Sequence, residues 1–530
     1  MYDYIIVGAG SAGCVMAERL SRDGRVSVLV IEAGGHDWNP FVHMPAGIAQ
    51  LVKFESLNWN YYTEPQAGLN GRRLYWPRGK LLGGSSSINA MCYIRGHADD
   101  YDGWAAAGNP GWSFADLLPY FRQAEANSRG ADAWHGADGL LSVSDLRHTN
   151  PLSRHFINAA VAAGYSENPD FNGPQQEGFG YYQVTQKEGR RCSTAAGYLS
   201  AARERPRVEL LTKTQVTRIE ISHERAVGVE VRRKGKLERY ACAREVILAG
   251  GAINSPQLLL LSGIGPAAQL REHGIPVRLD LPGVGANLQD HLDVCLLQHC
   301  NQPITYDRTN EAMVALEYML TRGGIGSSNI AEAGGFARTP LATDARPDVQ
   351  FHFVPAFLDD HGRNRLPGHG FTLHCCQLRP HSRGRLTLAS ADPLAKPRMQ
   401  PEYLSAPQDL PVLLAGLKMS REIFAQAPLR DLAGAEVFPG SAKQSDADLI
   451  AFIRAKAETI YHPVGTCRMG ADADAVVDAR LRVHGIEGLR VVDASIMPTL
   501  IGGNTNAPVV MIAEKAADAV LACAQQRLAA

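Results

Sequence analysis

The sequence contains no C-x-x-C spacing: its ten cysteines, among them Cys14, Cys92, Cys192, Cys295 and Cys467, are scattered, and Cys375-Cys376 is the one adjacent pair. No metal site is legible by motif, none is expected, and free, mostly buried thiols are predicted instead. Charge of one sign is missing too. Lysine plus arginine number 53 and aspartate plus glutamate 54, a formal net charge of −1, so the footprint of a nucleic-acid-binding protein is absent and no nucleic-acid partner is expected. No stretch approaches the roughly 18 uninterrupted apolar residues of a membrane span. The chain runs from Met1 straight into an apolar strand without a basic leader, so no cleaved signal is expected. Reduced thiols and a cytoplasmic location follow, with a peripheral position on the inner face of the cytoplasmic membrane left open. Internal repeats and low-complexity tracts are lacking. What is present is an ordinary globular composition, 45% apolar and 20% charged, over 530 residues. That length predicts two domains rather than one core.

The densest local pattern lies at the N-terminus. Tyr4 to Val7 is an apolar run of strand length, Gly8-Ala9-Gly10-Ser11-Ala12-Gly13 follows, and a helical pattern continues through Ala17 and Leu20. A second strand, Val26 to Ile31, ends in Glu32 and Ala33. Each part has a physical task. Gly8 permits a tight turn, Gly10 lets backbone approach a pyrophosphate, and Gly13 lets helix pack closely on strand. The helix N-terminus offers unpaired N–H groups to phosphates. Glu32 can accept from both hydroxyls of an adenosine ribose. A lone G-x-G-x-x-G is weak evidence; strand, turn, helix, strand and acid in order predict a site for FAD or NAD.

Further along, Gly79 to Asn89 carries Gly83-Gly84-Ser85-Ser86-Ser87, a backbone suited to lie against a ligand, before a run from Ile88 to Ile94 that reads as helix. Residues from about Val208 to Leu248 read as an antiparallel excursion. A helix over Ala252 to Leu261 is expected to be opened by Ser255-Pro256 and stopped by Ser262-Gly263-Ile264-Gly265. Near Gln298 the composition shifts, and strand-like segments follow at Gln350–Val354, Thr372–Cys376 and Arg385–Leu388. Cofactor-type features return with His462-Pro463-Val464-Gly465, Asp493-Ala494-Ser495 and Gly502 to Pro508, where Asn506 reads as the N-cap of a last helix. The expected fold is α/β with α+β elements, a Rossmann-like dinucleotide-binding domain beside a second, sheet-containing domain. Its bounds are 1–155, 192–297 and 458–530 for the first, and 156–191 and 298–457 for the second.

Taken together, these segments resemble the glucose-methanol-choline oxidoreductases, with Gly251 to Gly265 fitting that family's second signature almost letter for letter. The likeness spans essentially the whole chain and points towards bacterial membrane-associated alkanol dehydrogenases, with choline dehydrogenases close behind. It implies FAD rather than NAD. By position, Gly8, Gly10, Ser11, Ala12, Gly13, Glu32 and Ala33 would bind the ADP half, with Val216 at the adenine. Gly79, Gly83, Gly84, Ser85, Asn89 and Ala90 would line the pyrophosphate and isoalloxazine. Asp493 and Ala494 would sit near the ribityl chain, and Asn506 with Ala507 near the pyrimidine edge. Ile88 stands where some choline oxidases carry a flavin-linked histidine, so the FAD is expected to be non-covalent.

The resemblance also gives the chemistry. An alcohol carbon releases hydride easily only as its hydroxyl proton leaves, so a base must lie within hydrogen-bond reach. His462 matches the family's base and Asn506, 44 positions later, its second catalytic position, where an amide can donate to the developing alkoxide. Glu332 aligns with a substrate-side glutamate of choline-oxidising relatives; a paired structural carboxylate explains it equally well. The expected reaction is oxidation of a primary, aliphatic alcohol to an aldehyde by hydride transfer to flavin N5, with electrons passed to a quinone-like acceptor. Choline dehydrogenation, with Tyr306, Phe353 and Phe357 as scattered cage candidates, and O₂-dependent alcohol oxidation are the alternatives.

Overall fold

The computed structural model describes residues 1–51 and 54–529. Strand β1 (Tyr2–Val7), helix α1 (Ser11–Ser21) and strand β2 (Val28–Ile31) form the expected unit, with β1 and β2 paired in parallel from Tyr4 against Val28 to Val7 against Ile31. All four β2 residues, Val28, Leu29, Val30 and Ile31, are buried, as expected for a parallel strand covered on both faces. The segment Val208–Leu211 becomes strand β3, which pairs in parallel with β2. It is therefore not part of the antiparallel excursion. That excursion consists of β4 (Thr214–Ser222), β5 (Arg225–Arg233) and the long β6 (Lys236–Leu248). The first half of β6 closes the antiparallel meander, and its second half runs parallel to β1 and to the Leu489–Val491 strand. One seven-stranded sheet results, ordered β3-β2-β1-β6-β5-β4 with Leu489–Val491 also on β6.

A second seven-stranded sheet is antiparallel throughout. Its central strands are β7 (Leu292–Cys300), β8 (Ala333–Ala337), β9 (Val349–Val354) and β10 (Gly370–Gln377), in the order β7-β10-β9-β8. Ala433–Phe438 and Gly178–Tyr181 close its two edges, and Glu458–Thr459 pairs with the start of β7. The sheet thus begins at Leu292, ahead of the compositional shift near Gln298, and takes in Glu458 and Thr459. Arg385–Thr387 belongs to neither sheet and pairs only with Arg398–Gln400.

Two local expectations are corrected. Helix α2 (Gly251–Leu261) opens at Gly251, so Ser255 and Pro256 lie inside it. A proline there removes the bond to the carbonyl four residues back, and the Thr466 hydroxyl donates to that Ala252 carbonyl at 2.6 Å instead. The Ile88–Ile94 run is not helical. The short helix is the Gly84–Ser87 turn itself, and beyond it Met91 adopts φ +62°. Helix α3 (Asp409–Phe424) packs on β10 and β7, and helix α4 (Asn506–Ala529) packs on α1. All ten cysteines are free and eight of them are buried. Among the described residues no helix is long and apolar enough to cross a membrane.

Candidate active site

Two glycine turns meet backbone to backbone at the C-terminal ends of β1 and β6. Gly8 adopts φ +102°, and a Cβ there would come within 2.6 Å of the Ala249 carbonyl oxygen. At Gly13 a Cβ would fall 1.8 Å from the Gly8 oxygen, so helix and strand approach as closely as a missing side chain allows. Gly84, at φ +53°, would drive a Cβ to 2.7 Å from Gly10 Cα, and the Gly83 N–H donates to the Ala9 carbonyl at 2.7 Å. The order of the parallel strands reverses at β1, between β2 and β6, and open α/β sheets bind ligands at such a switch point.

There the chain encloses an elongated cavity of about 460 Å³. Of the residues singled out in the sequence, Gly8, Gly10, Ser11, Ala12, Glu32 and Ala33 line it, as do Gly79, Gly84, Ser85, Asn89 and Ala90. Val216, His462, Asp493, Ala494 and Asn506 line it as well, together with Ile88. Gly13, Gly83 and Ala507 stand behind the wall rather than in it.

Glu32 is buried at the tip of β2, where it accepts from the Ala9 N–H at 2.9 Å and the Gly34 N–H at 2.7 Å. Burial pushes its carboxyl up to about 6, against the lowering effect of those two donors and of Lys80. Asp493 takes the Gly251 N–H at 2.8 Å, the Ser255 hydroxyl at 2.6 Å, and both the N–H and hydroxyl of Ser495. Ser255 therefore serves Asp493 and caps no helix.

His462 is held from several sides. Its backbone N–H donates to Asp290 at 2.7 Å, and the same carboxylate takes the hydroxyls of Tyr403 and Thr459. Burial raises Asp290 to about 6. The imidazole meets His291 at 3.0 Å between Nδ1 atoms and the Asn504 amide nitrogen at 3.4 Å from Nε2. Burial, and then the neighbouring His291, His352 and Arg78, hold His462 well below the usual histidine range. The ring is neutral at physiological pH and free to accept a proton.

The amide beside His462 is thus Asn504, two residues before the one expected. Asn506 is the first residue of α4 rather than its cap; Thr505 accepts the first helical bond from Val509 at 3.1 Å. The Asn506 side chain accepts from the Ser11 hydroxyl at 2.8 Å, at the start of α1. A helix start turns successive side chains apart, so counting from His462 picks the right turn and misses the face. Asp290, His291 and His352 also went unread in the sequence. The polar run Gln289-Asp290-His291 in apolar surroundings was the available signal.

Glu332 does not reach the cavity. It is fully buried and accepts from the hydroxyls of Ser328, Ser153 and Tyr306 and from the Asn150 N–H at 2.7 Å. Every direction in which it could face a cation is taken by the protein. Nor do the cage candidates Tyr306, Phe353 and Phe357 line the cavity. Phe353 stacks on Phe156 in the core at 4.7 Å. The aromatic rings that do line it are Trp59, Tyr75 and Tyr461. Lys80 lies 4.4 Å from the Trp59 ring centre and Arg363 4.6 Å from that of Tyr75, so two of those rings already face cations of the chain.

A glycine-walled groove at the switch point of a parallel sheet, with an acid at the tip of the second strand, defines a dinucleotide-binding protein of the Rossmann class. The chain belongs to the GMC oxidoreductases: the family's N-terminal part matches residues 2–293 and its C-terminal part residues 380–513. It is 50% identical over 529 residues to the alcohol dehydrogenase (acceptor) of Pseudomonas putida, covering 98% of this chain and 96% of that relative. It is 47% identical to the mitochondrial choline dehydrogenase of Mus musculus, covering 98% and 89%. Among solved structures, pyridoxine 4-oxidase from Mesorbium loti superposes with a TM-score of 0.90 at 32% identity, over 98% of this chain and 99% of that one. The protein is an FAD-dependent enzyme of this family. The residues fit the cofactor: the Gly10–Gly84 contact leaves backbone where a Cβ would intrude, and Glu32 presents a buried carboxylate held only by N–H groups.

Proposed function

We propose that the enzyme oxidises neutral primary aliphatic alcohols to aldehydes and delivers the electrons to a quinone-like acceptor. The observation that carries this reading is the buried His462 imidazole, whose Nε2 shares the cavity with an amide nitrogen 3.4 Å away. His462 Nε2 takes the hydroxyl proton of the alcohol. The Asn504 amide, in the role first assigned to Asn506, donates to the oxygen and fixes the carbinol carbon. Bound FAD supplies the acceptor for the hydride that leaves that carbon. Glu32 and Val216 hold the adenosine half, Gly10, Ser11, Gly84 and Ser85 the pyrophosphate, and Asp493 and Ala494 the ribityl chain. Asn506, through Ser11, ties the last helix to the phosphate turn. The FAD is non-covalent, because Ile88 offers no nucleophile, so acid precipitation should leave all yellow colour in the supernatant.

The occupied faces of Trp59 and Tyr75 and the inward bonding of Glu332 favour a neutral alcohol over a quaternary ammonium one. Choline remains the second reading because of the 47% identity to a choline dehydrogenase. We assign the FAD-binding part to 1–155, 192–297 and 458–530 and the substrate part to 156–191 and 298–457; the presence of two sheets supports the division, while strand β7 and the Glu458–Thr459 strand of the second sheet cross its boundaries. We assign the enzyme to the cytoplasm, resting against the inner face of the membrane. In favour of the membrane-facing position, Met313, Leu316, Met319 and Leu320 are exposed on the Glu311–Thr321 helix.

Anaerobic mixing of the holoenzyme with a series of 1-alkanols and with choline tests the assignment, followed by reoxidation with quinone or O₂. Flavin bleaching by alkanols and faster reoxidation by quinone are expected. Bleaching by choline alone, or faster reoxidation by O₂, would replace the reading with one of its alternatives.

A further inference from the structure

We infer that His291 is a positioning residue that sets the tautomer of His462, holding its proton on Nδ1 and leaving Nε2 bare towards the substrate. The inference rests on the reading of His462 as the base. It follows from the ends of a three-link chain. At one end, His291 Nε2 lies 3.2 Å from the Leu378 carbonyl oxygen. A carbonyl can only accept, so His291 carries its proton on Nε2 and presents a lone pair at Nδ1. That lone pair faces His462 Nδ1 at 3.0 Å, and the contact is a hydrogen bond only if His462 Nδ1 holds the proton. Nε2 of His462 is then the free base.

The other end agrees with this. The Asn504 oxygen accepts from Gln350 Nε2 at 3.0 Å, which turns the Asn504 NH₂ group towards His462 Nε2. A proton on Nε2 would face that donor; a lone pair suits it. Reversing the chain would also set the His291 Nε2 lone pair against the Leu378 carbonyl. His291 is fully buried, and burial lowers it to about 3, so neither link is broken by a second proton in the working range.

The arrangement has a consequence for turnover. A neutral imidazole in water divides its proton between two nitrogens, and only one tautomer can act as base towards a given face. Here Asp290 holds the His462 backbone while its neighbour His291 holds the ring, so consecutive residues fix both the place and the protonation of the base. The same bond persists when His462 takes up the substrate proton on Nε2, since Nδ1 still donates to His291.

Two measurements on the holoenzyme test this. In the [¹⁵N]histidine-labelled protein, His462 is identified by the resonances that His462→Ala removes; a protonated Nδ1 and a bare Nε2 are expected. A proton on Nε2 would overturn the inference. In stopped-flow, His291→Leu should lower the limiting rate of flavin reduction by about tenfold or more, as expected for a base in the wrong tautomer, with substrate affinity changed less. His291→Asn, which keeps an acceptor oxygen at the Nδ1 position, should recover most of that loss. A full rate in the leucine variant, or no recovery in the asparagine one with FAD retained, would contradict the role. A wild-type rate in His462→Ala would instead defeat the base assignment, and the nitrogen spectrum would still report the tautomer.

Discussion

Four donors converge on Glu332, and each belongs to the protein: the hydroxyls of Ser328, Ser153 and Tyr306 and the Asn150 N–H. Removing the carboxylate strands those groups in the interior. Glu332→Ala should destabilise the fold by roughly 2–4 kcal/mol, since unpaired buried donors lose their full desolvation, and should leave the preference for neutral alcohols unchanged; denaturant unfolding and the substrate series read the two effects. The asparagines separate in a similar way. Asn504→Ala should slow flavin reduction by about 10²-fold, the usual effect of losing one donor to a developing oxyanion. Asn506→Ala should chiefly weaken FAD retention, because its partner is Ser11. pH adds a third discriminator. His462 is held well below the usual range, so its basic form persists as pH falls through 6.5. His462 should therefore contribute no acid limb of its own to the reduction rate; an acid limb reflects the buried carboxylates Asp290 and Glu32, both raised to about 6. The ¹⁵N shifts of His462 followed against pH in the labelled holoenzyme check this: a ring that takes up a proton near 6.5 would identify a solvent-like histidine instead.

Elements built on backbone necessity were legible, and elements built on tertiary rescue were not. The Gly8–Gly13 turn reads directly because no other residue fits: a Cβ at Gly13 would lie 1.8 Å from a carbonyl oxygen. Helix α2 misleads because Ser255-Pro256 looks like an opening. The carbonyl left free by Pro256 is served by Thr466, more than 200 residues away in the chain, and local pattern holds no trace of that bond. Thr466→Val should therefore destabilise the protein by about 1–2 kcal/mol and be visible as a lowered unfolding midpoint with FAD still bound. The Ile88–Ile94 run fails for a related reason. Met91, Cys92, Tyr93 and Ile94 are buried in an irregular segment with Met91 in the left-handed region, and composition alone cannot separate that from a helix. His462 could be singled out by resemblance to the family; its neighbours at 290, 291 and 504 could not, because what brings them to it is the strand and turn they share.

At the scale of the molecule, a largely parallel sheet supplies the nucleotide groove, and an antiparallel sheet supplies the wall that carries His352 and His374 into the same cavity. Strand β7 begins immediately after Asp290 and His291, so the second sheet also anchors the residues that hold His462. The two sheets thus bring the glycine turns and His462 to one cavity. The most direct test is pre-steady-state reduction of FAD by a 1-alkanol in wild-type enzyme and His462→Ala, both loaded with cofactor to the same extent. Loss of the imidazole should cut the limiting rate by about 10²-fold or more while FAD stays bound. Reduction of the alanine variant at the wild-type rate would contradict the account.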